Sequence, residues 1–276
     1  MAEVQQKYQD LLNHLRTLGR VVVAWSGGVD STFLVAAVME SGIDYLAVTA
    51  TSPTMPAHDL AEVKRGAAAR RINHRIIESG EMSDDNFVKN PPDRCFYCKS
   101  DLFGRLTRLA EAEGFDGVLD GSSADDIDDY RPGFKAKDQF RVLSPLLDMG
   151  LTKAEIRAFS KQLDLPTWDK PASPCLSSRI AYGDPIELAA LRMVEQAEIH
   201  LKELGFTTLR VRKQGETARI ELLEGEMDRF FEGDLRRQVS ATLQGFGFRF
   251  VTLDLEGFMS GKLNRVIDIP VEPSAP

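Results

Sequence analysis

Apolar residues recur at helical spacing through Leu11, Leu12, Leu15 and Leu18, and Gly19 ends the helix they predict. Residues 20–25 (RVVVAW) follow as a continuous β-branched run, the pattern of a strand buried on both faces. A glycine-containing turn then opens a predicted helix over 31–41. The alternation repeats as strand 44–50, helix 58–71, strand 74–77, helix 99–112 and strand 117–120. Strands and helices in alternation predict an α/β class fold with a doubly wound, mainly parallel sheet. Thr152-Lys153-Ala154-Glu155 has the form of a capping box opening a helix that runs to about Leu163.

Residues 166–183 are rich in Pro and Ser and predict an ordered loop at a domain junction. From Pro185 the pattern changes. A long helix over 186–204 leads to alternating segments at 209–212 and 218–222, a helix around 234–243 and a strand over 248–254. The expected division is a nucleotide-type domain at 1–183, a smaller α+β C-terminal domain at 184–270, and a disordered tail at 271–276.

Composition narrows the function classes. In 276 residues, 34 basic against 42 acidic side chains leave a formal net charge of −8, which argues against a nucleic-acid-binding surface and for a small-molecule substrate. No stretch approaches the roughly 18 apolar residues that span a bilayer, so no membrane partner is expected. The N-terminus lacks the apolar core of an export signal, which makes the cytoplasm the expected compartment.

The segment Ser26-Gly27-Gly28-Val29-Asp30-Ser31 stands between a buried strand and a helix. Glycines let backbone N–H groups approach phosphate oxygens, and the helix N-terminus supplies unpaired donors and a positive dipole end. Ser26 and Ser31 add hydroxyls. Asp30, a carboxylate in such a loop, makes sense as a Mg²⁺ ligand or as an orienting group. Gly257 to Lys262 has the wrong spacing for a Walker A loop. The loop resembles the PP-loop of the ATP pyrophosphatase superfamily, an adenine nucleotide alpha hydrolase-like fold that includes GMP synthetase, NAD synthetase and tRNA-thiolating enzymes. That resemblance implies ATP cleaved between its α and β phosphates, with AMP transferred to a substrate oxygen.

The chain has 3 cysteines, Cys95 and Cys98 in a C-x-x-C just before the predicted 99–112 helix and Cys175 in a Pro/Ser loop. Three thiolates can hold a four-iron four-sulfur cluster with one iron open to hydrosulfide. Zinc is the competing metal, although a structural zinc site wants four ligands. Three separate buried cysteines are the plain alternative.

The segment 120–133 begins like the superfamily's nucleotide-side turn, which brings in Gly121. Asp125, Asp126, Asp128 and Asp129 read most simply as a solvated loop, with Asp126 the candidate for a ribose or Mg²⁺ contact. Asp129-Tyr130-Arg131-Pro132-Gly133, Pro174 to Arg179 and Arg210-Val211-Arg212 together resemble the LarE family over nearly the whole chain. The resemblance implies adenylation of a pyridinium dicarboxylate mononucleotide, replacement of oxygen by sulfur, and a product used to make the nickel-pincer nucleotide of lactate racemase. It also implies a sulfide source as partner and a homo-oligomer, such as a hexamer. One branch of the family sacrifices its own cysteine four residues before the serine of an S-R pair. Here that position is Pro174, with Cys175 one residue later and Cys95 and Cys98 extra, so the chain resembles the three-cysteine, cluster-dependent branch. Lys99 is then expected to neutralise phosphate charge. Arg210 and Arg212, alternating onto one face of a strand, with Ser178 and Arg179, are expected to hold the substrate's phosphate. Glu198 and Glu221 could bind a divalent ion, but two lone carboxylates read more simply as surface residues. The competing functions are a tRNA-thiolating PP-loop enzyme and a nucleotide- or metal-binding sensor without turnover.

Overall fold

The computed structural model describes residues 2–126 and 133–267, with side chains from residue 5. Helices and strands alternate as α1 (Ala2–Arg16), β1 (Val21–Ala24), α2 (Val29–Ser41), β2 (Tyr45–Thr51), α3 (Ala57–Arg70), β3 (His74–Glu78), α4 (Arg94–Glu113) and β4 (Gly117–Leu119). After them come α5 (Phe134–Phe140), α6 (Lys153–Gln162), α7 (Leu188–Glu203), β5 (Leu209–Gln214), β6 (Thr217–Leu222), α8 (Leu235–Gly245) and β7 (Phe250–Leu253). The chain forms two compact units, one of residues 1–81 and 93–173, the other of 82–92 and 174–276. The division thus falls after Ser173, and a short segment from the first half joins the second unit. The tail 271–276 lies outside the described residues, as do Asp128 to Pro132.

The first unit is an α/β fold around a four-stranded sheet of order β3-β2-β1-β4, every pairing parallel. Period-two alternation explains the unbroken apolar run of β1. Val21 and Val23 enter one core with Leu11, Leu15, Phe33 and Leu34; Val22 enters the other with Leu46, Val48, Phe103 and Leu106. Helix α2 is apolar nearly all round because it sits inside the first core, where Phe33, Leu34, Ala37 and Val38 have no exposure. Tyr8 and Phe159 stack at 5.0 Å and both lie within 6 Å of Phe33 (5.8 and 5.9 Å), tying α1 and α6 to α2. The capping box at Thr152 is made in full, the Glu155 N–H donating to Thr152 Oγ1 and the Thr152 N–H to Glu155 Oε2.

Because β2 and β3 lie on one side of β1 and β4 on the other, the winding reverses between β1 and β4. In open α/β sheets the ligand crevice lies at the carboxyl ends of such strands. That rule points to the loops after Ala24 and Leu119.

The second unit is α+β. Strands β5 and β6 form an antiparallel hairpin closed by Gly215 and Glu216, and β7 adds parallel to β6. The segment 82–92 belongs here because buried Asn90 clips it. Its side-chain amide donates to the carbonyls of Ala181 (2.7 Å) and Asp184 (3.0 Å), and its own carbonyl accepts from Gly183. Its φ of 56° is one that asparagine tolerates better than most residues. Asn90→Ala strands those carbonyls without donors and is expected to lower stability by roughly 2–3 kcal/mol in urea unfolding. A change below about 0.5 kcal/mol, the ordinary surface level, contradicts the clip.

Candidate functional site

The loop after β1 is held ready by its own side chains. Trp25 is buried, and its indole N–H donates to Thr32 Oγ1 at 3.0 Å. Ser26 and Ser31 hydroxyls meet at 3.0 Å, and Ser31 Oγ accepts from the Ser26 N–H. Gly27 takes φ 76°, and a Cβ there would stand 2.4 Å from Val63 Cγ2, so both conformation and space require glycine. From the other side of the winding reversal, Gly121 packs against the first turn of α2; a Cβ on it would lie 2.9 Å from the Ser31 nitrogen. The N-terminus of α2 therefore opens at the carboxyl end of the sheet with Asp30 in its first turn.

A cavity of about 260 Å³ lies against this loop. Ser26, Gly28 and Asp30 line one side; Asp59, Lys153, Arg157, Lys170 and Ser173 line the rest. Sequence reading missed this second group. Lys153 and Arg157, one turn apart at the start of α6, were the available signal. Lys170 Nζ reaches Asp59 Oδ1 (2.9 Å), Glu62 Oε2 (2.7 Å) and the Gly27 carbonyl (3.3 Å). Ser173 Oγ donates to the other Asp59 oxygen at 2.7 Å. Burial opposes the Asp59 carboxylate, yet Lys170 and Ser173 outweigh it and hold its pKa below the ordinary value. Burial likewise opposes the Lys170 ammonium, but Glu62 and Asp59 keep its pKa raised.

Asp126 is buried, accepting from the Ser123 N–H and hydroxyl and pairing with Lys153 Nζ at 2.9 Å. Its carboxylate thus shapes the turn after Gly121 and holds the Lys153 ammonium. The C-x-x-C lies inside α4, not before it. Pro91 and Pro92 precede the helix, Asp93 starts it, and Cys95 and Cys98 stand one turn apart. Lys99 shares that turn with its ammonium 5.4 Å from the Phe103 ring centroid. None of the three cysteines is in a disulfide. Cys95 and Cys98 belong to the first unit and Cys175 to the second. Among the described residues, no group of three His, Cys, Asp or Glu side chains is gathered as a metal site.

Cys175 precedes the turn Leu176–Arg179. Its carbonyl accepts from Ser178 Oγ (2.8 Å) and from Arg179 (3.1 Å), so Ser178 and Arg179 fix the cysteine's backbone. The surface reading of Glu198 and Glu221 is corrected. Both are buried, Glu198 under a two-point pair with Arg179 (2.9 and 3.0 Å), Glu221 between Arg212 (2.9 Å) and Arg219 (3.1 Å). Arg212 is also buried and donates to the Ser178 carbonyl at 2.8 Å. Arg210 lies over Phe258 in this arginine-rich cluster, where burial and the like charge of Arg179 pull its pKa down to about 10. An anion there would relieve that repulsion.

No family model matches the chain. An uncharacterized protein of Synechocystis sp. is 41% identical over 265 residues, spanning 96% of this chain and 99% of that protein. The pyridinium-3,5-bisthiocarboxylic acid mononucleotide synthase of Lactiplantibacillus plantarum is 37% identical over 273 residues, 97% of each chain. The tRNA-specific 2-thiouridylase MnmA of Desulforamulus reducens is 26% identical over 197 residues, 56% of this chain and 53% of that protein.

Two outcomes are expected. Gly27→Ala forces Val63 aside and strains a positive φ, and should weaken nucleotide binding at least about tenfold at a stability cost of roughly 1–3 kcal/mol; unchanged binding contradicts the need for glycine. Burial opposes charge on Glu198, but Arg179 holds its pKa below the ordinary carboxylate value. Its stabilisation is therefore complete above about pH 5 and lost as pH falls through the depressed folded value. Glu198→Gln should flatten that part of the acid-unfolding curve, and an unaltered curve contradicts the assignment.

Proposed function

Since the chain belongs to the LarE family of ATP-dependent sulfurtransferases, we propose that it adenylates the carboxylates of a pyridinium dicarboxylate mononucleotide and converts them to thiocarboxylates. The product would serve nickel-pincer nucleotide synthesis. The observation that carries this reading is the preformed Ser26–Ser31 loop opening on a cavity walled by Lys153, Arg157 and Lys170. The partial match to a 2-thiouridylase supports it, since that relative too is a sulfur-transferring enzyme.

The loop's N–H groups, the Ser26 and Ser31 hydroxyls and the positive end of α2 receive the β- and γ-phosphates. A substrate carboxylate oxygen attacks the α-phosphorus, the bond to the bridging α,β oxygen breaks, and pyrophosphate leaves with its charge met by the surrounding cations. Asp30, on the cavity wall, fits as a Mg²⁺ ligand by its hard carboxylate oxygens. A sulfur nucleophile then attacks the acyl carbon, and AMP departs with the former carboxylate oxygen. In the second unit, Arg210 would hold the substrate's phosphate, with Arg179 and Arg212 braced by Glu198 and Glu221.

By the chemistry of their donor atoms, Cys95 and Cys98, undisulfided and one helical turn apart, would be two thiolate ligands, and Cys175 would be the third soft donor. A four-iron four-sulfur cluster bound by the three would supply an open iron that presents hydrosulfide. The chain's own part is to keep Cys175 placed through Ser178 and Arg179 and to bring an activated carboxyl to the sulfur.

The test is anaerobic incubation of iron-reconstituted protein with ATP, sulfide and the pyridinium dicarboxylate mononucleotide, followed by mass spectrometry. Oxygen-to-sulfur exchange on the substrate is expected. Exchange only on added tRNA contradicts the reading, as does pyrophosphate release that ignores the carboxylate substrate. Cys175→Ser is expected to keep carboxylate-dependent pyrophosphate release and lose catalytic thiocarboxylate formation. Undiminished sulfur transfer in that variant contradicts the three-cysteine carrier.

A further inference from the structure

Lys170 stands where the phosphate loop and a rigid strap meet, and neither the loop motif nor the cysteines account for it. Residues 169–174 read Asp-Lys-Pro-Ala-Ser-Pro, with prolines restricting the backbone on both sides of Ala172 and Ser173. Arg157 fixes the strap's start, donating to the carbonyls of Trp168 and Lys170 at 2.8 Å each. Ser173 anchors its end on Asp59. Between these anchors the Lys170 ammonium spends its three N–H groups on Gly27, Asp59 and Glu62.

Those three bonds are unequal. Asp59 is 7% exposed at its side chain and also holds Ser173, whereas Glu62 is 43% exposed. An ion pair at that exposure is screened by solvent and contributes little, so the Glu62 bond is the cheap one to exchange. The contact with the Gly27 carbonyl already sets the ammonium at the loop backbone beside the cavity.

We propose that Lys170 binds the leaving pyrophosphate directly, trading Glu62 for a pyrophosphate oxygen while Asp59 and Gly27 keep the ammonium at the loop. Asp59 is the fixed counter-ion of this device and Glu62 its resting partner. The strap supplies a cation to a loop whose own sequence contains none. The inference rests on the PP-loop reading and adds the group that discriminates pyrophosphate from AMP.

Calorimetric titration with Mg²⁺-pyrophosphate and, separately, with AMP tests it on the full chain, with melting temperatures as the check on folding. Lys170→Met is expected to weaken pyrophosphate binding at least about tenfold, the scale of one charge-assisted contact, and to leave AMP binding unchanged. That variant also leaves Asp59 facing the cavity uncompensated, so the deciding protein is the double variant, Asp59→Asn with Lys170→Met. Continued weak pyrophosphate binding in the double variant supports direct contact. Recovery to wild-type affinity overturns it, because Lys170 would then act only by neutralising Asp59. Equal loss for AMP and pyrophosphate also overturns it, since that is the mark of a collapsed strap. If wild-type protein binds pyrophosphate and Lys170→Met binds it equally, this inference alone fails. If wild-type protein binds none, the loop reading fails with it.

Discussion

Gly121 and the first turn of α2 approach so closely that a single added carbon would lie 2.9 Å from the Ser31 nitrogen. Much of the first unit's geometry follows from that contact. It brings the chain leaving β4 against the chain leaving β1 at the reversal of winding, so that α2 starts at the sheet's carboxyl edge with its N–H groups directed outward. The turn at Gly27 is the second half of the same constraint, since its positive φ and its contact with Val63 leave no room for a side chain. Burying α2 among Phe33, Leu34 and Val38 fixes the whole arrangement in the core.

Each unit balances its own buried charge. Asp59 and Glu62 meet Lys170, and Asp126 meets Lys153. In the second unit Glu198 and Glu221 meet Arg179, Arg212 and Arg219. A buried charge without a partner is far more costly than an exposed one, which explains why the acidic partners are drawn inside with the bases. A chain of net charge −8 can thereby keep Lys153, Arg157 and Lys170 on the wall of the cavity at the Ser26–Ser31 loop.

Much of this was legible in the residues. Three valines in a row, a glycine loop and an apolar helix specify a doubly covered parallel strand and the loop at its end, because period-two burial on both faces leaves no polar positions in between. The strand alternation of Arg210 and Arg212 was legible too. Their burial was not, because Arg212 meets Glu221 only across the folded hairpin and Arg179 meets Glu198 only once the 176–179 turn packs on α7, and no periodicity of the sequence marks either pairing. Lys170 escaped for the same reason. It sits in a Pro/Ser segment with no periodicity, and its partners at Gly27, Asp59 and Glu62 are more than a hundred positions away. The start of α4 was misplaced because the helix begins directly behind two prolines, which moves the C-x-x-C onto a helical face.

In the proposed reaction ATP is cleaved at the loop so that AMP joins a carboxylate oxygen before sulfur arrives. Labelling the substrate carboxylates with heavy oxygen and following the label into nucleotide by mass spectrometry tests it most directly. One heavy oxygen is expected in AMP for each sulfur installed, because AMP leaves with the former carboxylate oxygen. Unlabelled AMP, or ADP as the nucleotide product, would contradict it.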